Sequence, residues 1–350
     1  MKNAKKILTV VFSVSFCLFC LFSSNDVKSS AIAGINRCIT IIIPSLYAMM
    51  TASVLLMKCG VLSSAGRYIS PITRRIFGMN GEMGAVFLFS IISGYPVGAK
   101  MIYSMYAENR LSKQTAEIMT GICFGAGAAF IFGCAASTTE IGGLILVSNL
   151  SAELIIAIIL SSYFRKNPIA EKKRKTTISG DVLTDSVASA GKSLGDMCFC
   201  VIIFSVFTKM VEKSGIVGKL ADVFRLDGSI FSAVLDITAI SEISVDIPTA
   251  AALISFGGVC VFFQISAIFR GKLSVFPLVA MRIAAAVLSY GICHILQPIF
   301  ISGDVTAVFA ASGCMHREAS PVPSVMLIIM TAVVIAKSVK IKGMIKADSE

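Results

Sequence analysis

Gly84–Tyr106 reads GAVFLFSIISGYPVGAKMIYSMY, an apolar run in which Lys100 is the lone charge. As one α-helix it would cross roughly 30 Å of hydrocarbon, which takes about twenty residues. Its centre argues against a single helix. In Ser93-Gly94-Tyr95-Pro96-Val97-Gly98, Pro96 has no N–H for the helical ladder and disfavours α geometry at Tyr95. A helix broken inside a bilayer strands backbone N–H and C=O groups, and only protein or water can satisfy them. The stretch therefore reads as a re-entrant hairpin whose break faces the inside of a helical bundle.

The rest of the chain agrees with a membrane setting. Hydrophobic residues make up 56% of the 350 and charged residues 15%, with a mean hydropathy of +0.85. Soluble domains run at about 45–50% apolar and about a quarter charged. The apolar residues fall in windows long enough to span, without two-residue alternation, so helices rather than a barrel are expected. The net charge of +11 does not point to nucleic acid. Lys2, Lys5 and Lys6, then Lys172, Lys173, Arg174 and Lys175, then Lys337, Lys340, Lys342 and Lys346 follow the positive-inside pattern of cytoplasmic segments. Membrane lipids are the partners this charge implies. The 11 cysteines are odd in number and sit mostly in apolar runs, where they act as small hydrophobes.

Reading outward, Met1–Phe22 is a basic start followed by an apolar core, taken as an uncleaved helix over a signal peptide. A span over Cys38–Met57 contains Pro44. Val61–Phe77, interrupted by Arg67, Arg74 and Arg75, reads as an interfacial helix. Spans are expected over Thr115–Cys134 and Gly143–Phe164, and Arg165–Lys192 is a basic linker. Then come a span near Asp196–Met210, an amphipathic stretch Gly215–Phe224 and a second interrupted hairpin, Gly228–Ile247. Spans near Thr249–Phe269, Pro277–Leu296 and Pro321–Ala336 complete the chain.

Its two halves share an order of elements. Span, Lys58-Cys59-Gly60, amphipathic segment, Asn80-Gly81 and broken hairpin recur as span, Lys213-Ser214-Gly215, amphipathic segment, Asp227-Gly228 and broken hairpin. With the amino terminus inside, the repeats are inverted, and the linker and basic tail fall in the cytoplasm. Lys213, Lys219 and Arg225 would then lie outside, so charge bias supports the ends and linker but not the hairpins. The expected fold is an all-α polytopic membrane protein of about eight transmembrane helices plus two re-entrant hairpins in inverted repeats. Its segments are 1–34, an N-terminal helix and external loop; 35–164, the first repeat; 165–193, the linker; 194–300, the second repeat; and 301–350, a C-terminal helix and basic tail.

Facing interrupted helices are how many secondary transporters build a midplane site. Asp236 and Glu242 lie in an apolar hairpin, where a carboxylate costs about 2.5 kcal/mol or more at a helix centre. They read either as a cation, proton or polar-solute site, or as hydrated groups at a shallow tip. Thr238 and Ser241 in the same hairpin, Ser93, Gly94, Tyr95 and Pro96 in the first, and Gln264 in the following span complete the candidate binding set. Gly94 and Gly98 also form a G-x-x-x-G packing face. Lys100 is expected to snorkel to the interface, Gly125 and Gly127 to pack, and His294 to be satisfied within the bundle. Cys314 and His316 are too few ligands for zinc, so neither metal nor organic cofactor is expected. Without a P-loop, nucleophile elbow or H-E-x-x-H, catalysis is not expected either.

Ile43-Pro44-Ser45-Leu46-Tyr47 and Ile92-Ser93-Gly94-Tyr95-Pro96-Val97-Gly98-Ala99-Lys100 resemble the bacterial "nucleoside recognition" Gate-domain proteins, and within them the sporulation integral membrane proteins. Phe124–Gly133, Leu235-Asp236-Ile237-Thr238, and Phe256-Gly257-Gly258 through Gln264 are similar to further motifs of that group, over about Ile35–Phe300. Asp236 stands where the family usually has glutamate, and Gly121-Ile122-Cys123-Phe124 replaces an Asn/Ser-rich approach, so no substrate or coupling ion is carried over. The resemblance implies a membrane protein needed for spore cortex formation. Two functions follow as expectations. One is a transporter or permease-like protein for a small polar solute or ion. The other is a non-transporting scaffold for sporulation membrane proteins, with self-association or those proteins as partners.

Overall fold

The computed structural model of the chain describes residues 2–132, 138–167, 181–215 and 228–301, and all regular structure among them is helical. Helix α1 (Lys2–Phe22) and α2 (Ser24–Arg37) meet at a bend of 100°. A π turn, Cys38–Ile42, leads into α3 (Ile43–Lys58). Pro44 lies in the first turn of α3, where its missing N–H does least harm. The chain then bends by 81° into α4 (Val61–Phe77), which Gly60 and Gly78 bracket at φ of 64° and 69°.

Helix α4 behaves as its charges imply. Leu62, Gly66, Thr73 and Phe77 are buried, with Gly66 backbone to backbone on Gly81. Arg67, Tyr68, Ile72, Arg74, Arg75 and Ile76 are exposed, an interfacial mixture of basic and apolar side chains.

The first hairpin is two half-helices, α5 (Gly81–Ser93) and α6 (Val97–Ala107). Asn80 starts α5 by accepting the Met83 N–H at 2.8 Å. At the break Gly94 takes φ 79° and ψ 172°, a region only glycine visits at ease, and the Tyr95–Pro96 bond is cis. A Cβ on Gly94 would run into the backbone of Gly127, and one on Gly98 into the Cys123 carbonyl. Gly94→Ala and Gly98→Ala are therefore expected to abolish the folded, monodisperse protein after solubilisation. Strain at Gly94 alone costs about 1–3 kcal/mol. Gly143→Ala, where nothing lies within 4 Å, should leave the elution profile unchanged.

Helix α7 (Lys113–Ile122) starts on a Ser112 cap and ends early. Residues 123–127 are non-helical, before a short turn, Ala128–Phe130. The expected continuous span Thr115–Cys134 is thus broken at its middle, where carbonyls turn to a cation from far along the chain. Next come α8 (Thr139–Ile159), α9 (Ser161–Lys166) and α10 (Asp181–Lys213). The expected linker is helical from Asp181 onward. Ser186, Ala190, Leu194, Met197 and Val201 are buried at three- and four-residue spacing, which carries the helix through its polar start.

The second hairpin has α11 (Gly228–Leu235), a break at Asp236 and a 3-10 turn, Ile237–Glu242. Asp246 caps α12 (Ile247–Phe256), which Gly257 and Gly258, at φ 86° and 83°, separate from α13 (Val259–Phe269). Helix α14 (Phe276–Phe300) packs with α7, α8 and α12, while α10 packs on α2, α3 and α13.

Among the described residues, 4 helices are long and apolar enough to cross a membrane, or up to 6 when each bent pair is one span. These are Thr139–Ile159, Asp181–Lys213, Ile247–Phe269 and Phe276–Phe300, with the α1–α2 and α3–α4 pairs. The expected span Pro321–Ala336 and most of the amphipathic stretch Gly215–Phe224 lie outside the described residues, as do Cys314 and His316. His294 is exposed rather than satisfied in the bundle, its ring stacked 6.3 Å from Tyr290.

Candidate functional site

The hairpin breaks converge. Tyr95 and Pro96 from the first, Asp236 and Thr238 from the second, and Gln264 from α13 line one cavity of about 40 Å³, whose walls also carry the apolar groups of Ile42, Leu46 and Phe130. That volume holds a bare ion or a water or two, whereas pockets for larger ligands start at about 300 Å³.

Asp236 sits at this cavity because it starts the 3-10 turn. Its Oδ1 accepts the Thr238 N–H at 3.1 Å, and its Oδ2 lies 3.5 Å from Arg37 Nη1. The residue is 2% exposed, so the carboxylate is desolvated, and the guanidinium compensates its charge. Thr238 Oγ1 is buried without a hydrogen-bond partner among the described residues, as is Ser93 Oγ just before the first break. The Gln264 amide makes one weak contact, Nε2 to Cys260 Sγ at 3.4 Å. A cavity with a carboxylate, an unengaged hydroxyl and an amide suits a small polar or cationic occupant.

Ser241 faces its own turn, donating to the Thr238 carbonyl at 3.2 Å, and does not line the cavity. Glu242 closes the 3-10 turn, and its side chain lies outside the described residues. Gly94 supplies a close backbone approach to Gly127 rather than a ligand, and Gly125 packs beneath the Glu153 carboxylate. Lys100 does not snorkel: its Nζ donates to the Ser189 carbonyl at 2.8 Å and to Ser193 Oγ at 2.7 Å.

Behind the cavity lies a charged layer that the motifs did not point to. The Tyr95 N–H donates to the Gly125 carbonyl at 2.6 Å, and its ring stacks on Phe124 with centroids 4.8 Å apart. Arg282 also stands over Phe124, its Cζ 5.1 Å from the ring centroid. Its Nη1 donates to the Phe124 carbonyl and its Nη2 to the Gly121 carbonyl at 2.8 Å. Arg282 is wholly buried, and Glu153 Oε1 lies 3.6 Å away. Beyond about 3.5 Å that contact is charge compensation rather than a hydrogen bond. The guanidinium therefore satisfies the carbonyls freed where α7 stops, and Glu153 keeps its charge neutralised. Ser289 ties the same layer together, donating to Asn149 Oδ1 and contacting the Ala251 carbonyl.

A signal for this layer was present. Glu153 and Arg282 are each an isolated charge in an apolar span, the same feature that marks Asp236, and such charges in membrane helices face protein or water.

No family model matches the chain. Over 268 residues it is 26% identical to the sporulation integral membrane protein YlbJ of Bacillus subtilis (strain 168), an alignment covering 64% of this chain and 64% of that protein. The chain thus spans less than two thirds of that relative's length. Its apolar helices and this likeness together make it an integral membrane protein, similar to one of sporulation.

Proposed function

We propose that the chain is a multi-pass transporter or permease-like protein of sporulation, serving spore cortex formation, that moves a small polar solute or ion. One observation carries this reading: two separate interrupted hairpins place Tyr95, Pro96, Asp236 and Thr238 on a single cavity with Gln264. Broken helices facing one another across polar groups are the construction of alternating-access carriers. At about 40 Å³ the cavity offers ion-sized space, and a larger solute needs it to widen.

The fuller architecture belongs to the same proposal: about eight spans, two re-entrant hairpins, inverted Gate-type repeats and both termini cytoplasmic. Three likenesses support the repeats. Gly60 and Gly215 both take left-handed φ, 64° and 71°, after Lys58-Cys59 and Lys213-Ser214. The break at residues 94–96 is followed by that at 123–127, and Asp236 by Gly257-Gly258. Long helices α8 and α14 come after each pair.

The test is heat-resistant spore yield in a Bacillus subtilis strain lacking the related gene, complemented with this chain or its variants at membrane abundance matched by immunoblot. Asp236→Asn should lower the yield sharply, since it neutralises the carboxylate that lines the cavity. Glu242→Gln is tested beside it. Full yield from both variants, with loss on removing the basic linker, would overturn transport in favour of a scaffold.

A further inference from the structure

A second and larger cavity, about 240 Å³, opens between α6, α10 and α13. Its walls carry Lys100, Lys192 and Arg270 against one carboxylate, Asp196, with the hydroxyls of Ser104 and Ser193 between them. Lys192 and Arg270 are exposed, and among the described residues neither forms an ion pair. Three cations gathered around one opening make an anion receptor, best matched by phosphate oxygens; the Ser104 and Ser193 hydroxyls donate to the Lys100 and Ser189 carbonyls and serve only to hold the wall.

Depth and surroundings select the kind of anion. Lys192 and Asp196 immediately precede the apolar run Met197–Phe207 of α10, and Arg270 immediately follows the apolar helix α13. The basic mouth thus stands at the level where apolar helix gives way to polar chain, the depth of lipid head groups. Along the same helix faces the surface turns apolar. Phe199 and Ile203 follow Lys192 at helical spacing and are 69% and 53% exposed, and Phe263, two turns before Arg270, is 57% exposed. The two helices meet there, with the Phe204 and Phe263 rings 5.1 Å apart. A charged mouth continuous with an exposed apolar track fits an amphiphile, not a free anion.

We propose that this pocket binds one anionic phospholipid, its phosphate among Lys100, Lys192 and Arg270 and its acyl chain along Phe199, Ile203 and Phe263. The pocket meets the Asp236 cavity only at Gln264, which lines both, and none of the residues proposed for lipid lines that cavity, so the proposal stands whether or not the chain transports.

The full chain, purified in neutral detergent, is tested by melting temperature with added phosphatidylglycerol, phosphatidylcholine or inorganic phosphate at matched ionic strength. Phosphatidylglycerol should raise it by several degrees and the other two should not. The variants Lys192→Gln and Arg270→Gly should abolish the rise while melting normally without lipid. Arg270 holds φ 49°, so glycine fits its backbone without strain. An equal rise with phosphatidylcholine, or one that survives both variants, would overturn the proposal. A rise with inorganic phosphate that both variants remove would also overturn it, assigning the pocket to a soluble anion.

Discussion

Arg282→Met should leave almost no folded protein after solubilisation, the largest loss expected from any single side chain here. The substitution keeps the bulk and removes the guanidinium. The Gly121 and Phe124 carbonyls lose their donors, and each buried unsatisfied group costs about 1–3 kcal/mol. Glu153, 1% exposed, loses its countercharge, and breaking a buried pair costs about 3–5 kcal/mol. Together these terms rival a whole domain's stability of about 5–15 kcal/mol. Glu153→Gln should be milder, because it leaves the wholly buried guanidinium without its countercharge, at a cost like that of stranding Glu153, but keeps both carbonyl bonds. Arg282→Lys should fall between, since an ammonium cannot present the planar fork that reaches two carbonyls. A double Glu153→Leu, Arg282→Met variant should recover only part of the loss, as it removes both charges and leaves the carbonyls bare. Thermal stability by size-exclusion after heating ranks the set. If Glu153→Gln proves as damaging as Arg282→Met, charge pairing rather than carbonyl capping holds the break.

That ranking shows where sequence is informative and where it is not. The break at Gly94 is legible because glycine and proline act on their own backbone, and Asn80 and Asp246 mark helix starts for the same local reason. Asp236 is legible because a carboxylate in an apolar run needs a partner wherever it lies. Tyr95, Pro96, Thr238 and Gln264 come with these features, so the cavity lining follows from reading the interruptions. The break at residues 123–127 is different. Phe124-Gly125-Ala126-Gly127 is small and apolar, compatible with a packed helix, and what opens it is Arg282 of α14 reaching back to the carbonyls. No local pattern states that distant pairing. The Gly257-Gly258 doublet is visible, but its apolar flanks read equally as one span. Helix α10 hides differently: Asp181–Lys192 looks like solvated linker, and only the buried stripe from Ser186 to Val201 shows why it winds.

The second large effect separates what Asp236 holds from what it binds. Arg37→Gln removes the guanidinium 3.5 Å from a carboxylate that is 3% exposed. Withdrawing one partner from a buried pair costs about 3–5 kcal/mol, so membrane abundance should fall steeply. Asp236→Asn should be gentler on folding, because Arg37, at 15% exposed, retains access to solvent and the amide oxygen can still accept the Thr238 N–H. The double variant Arg37→Gln, Asp236→Asn leaves two neutral amides and should restore abundance close to that of Asp236→Asn. Contacting residues are expected to couple in this way. Spore yield should not follow abundance back. A carboxylate that serves only as a counterion becomes dispensable once its cation is gone, and the double variant would then make normal spores. A carboxylate that holds the transported solute or ion remains necessary, and the double variant would stay as defective as Asp236→Asn at equal abundance. Recovery of both readouts together would reduce Asp236 to a structural lock and move the search for the solute site to Thr238 and Gln264.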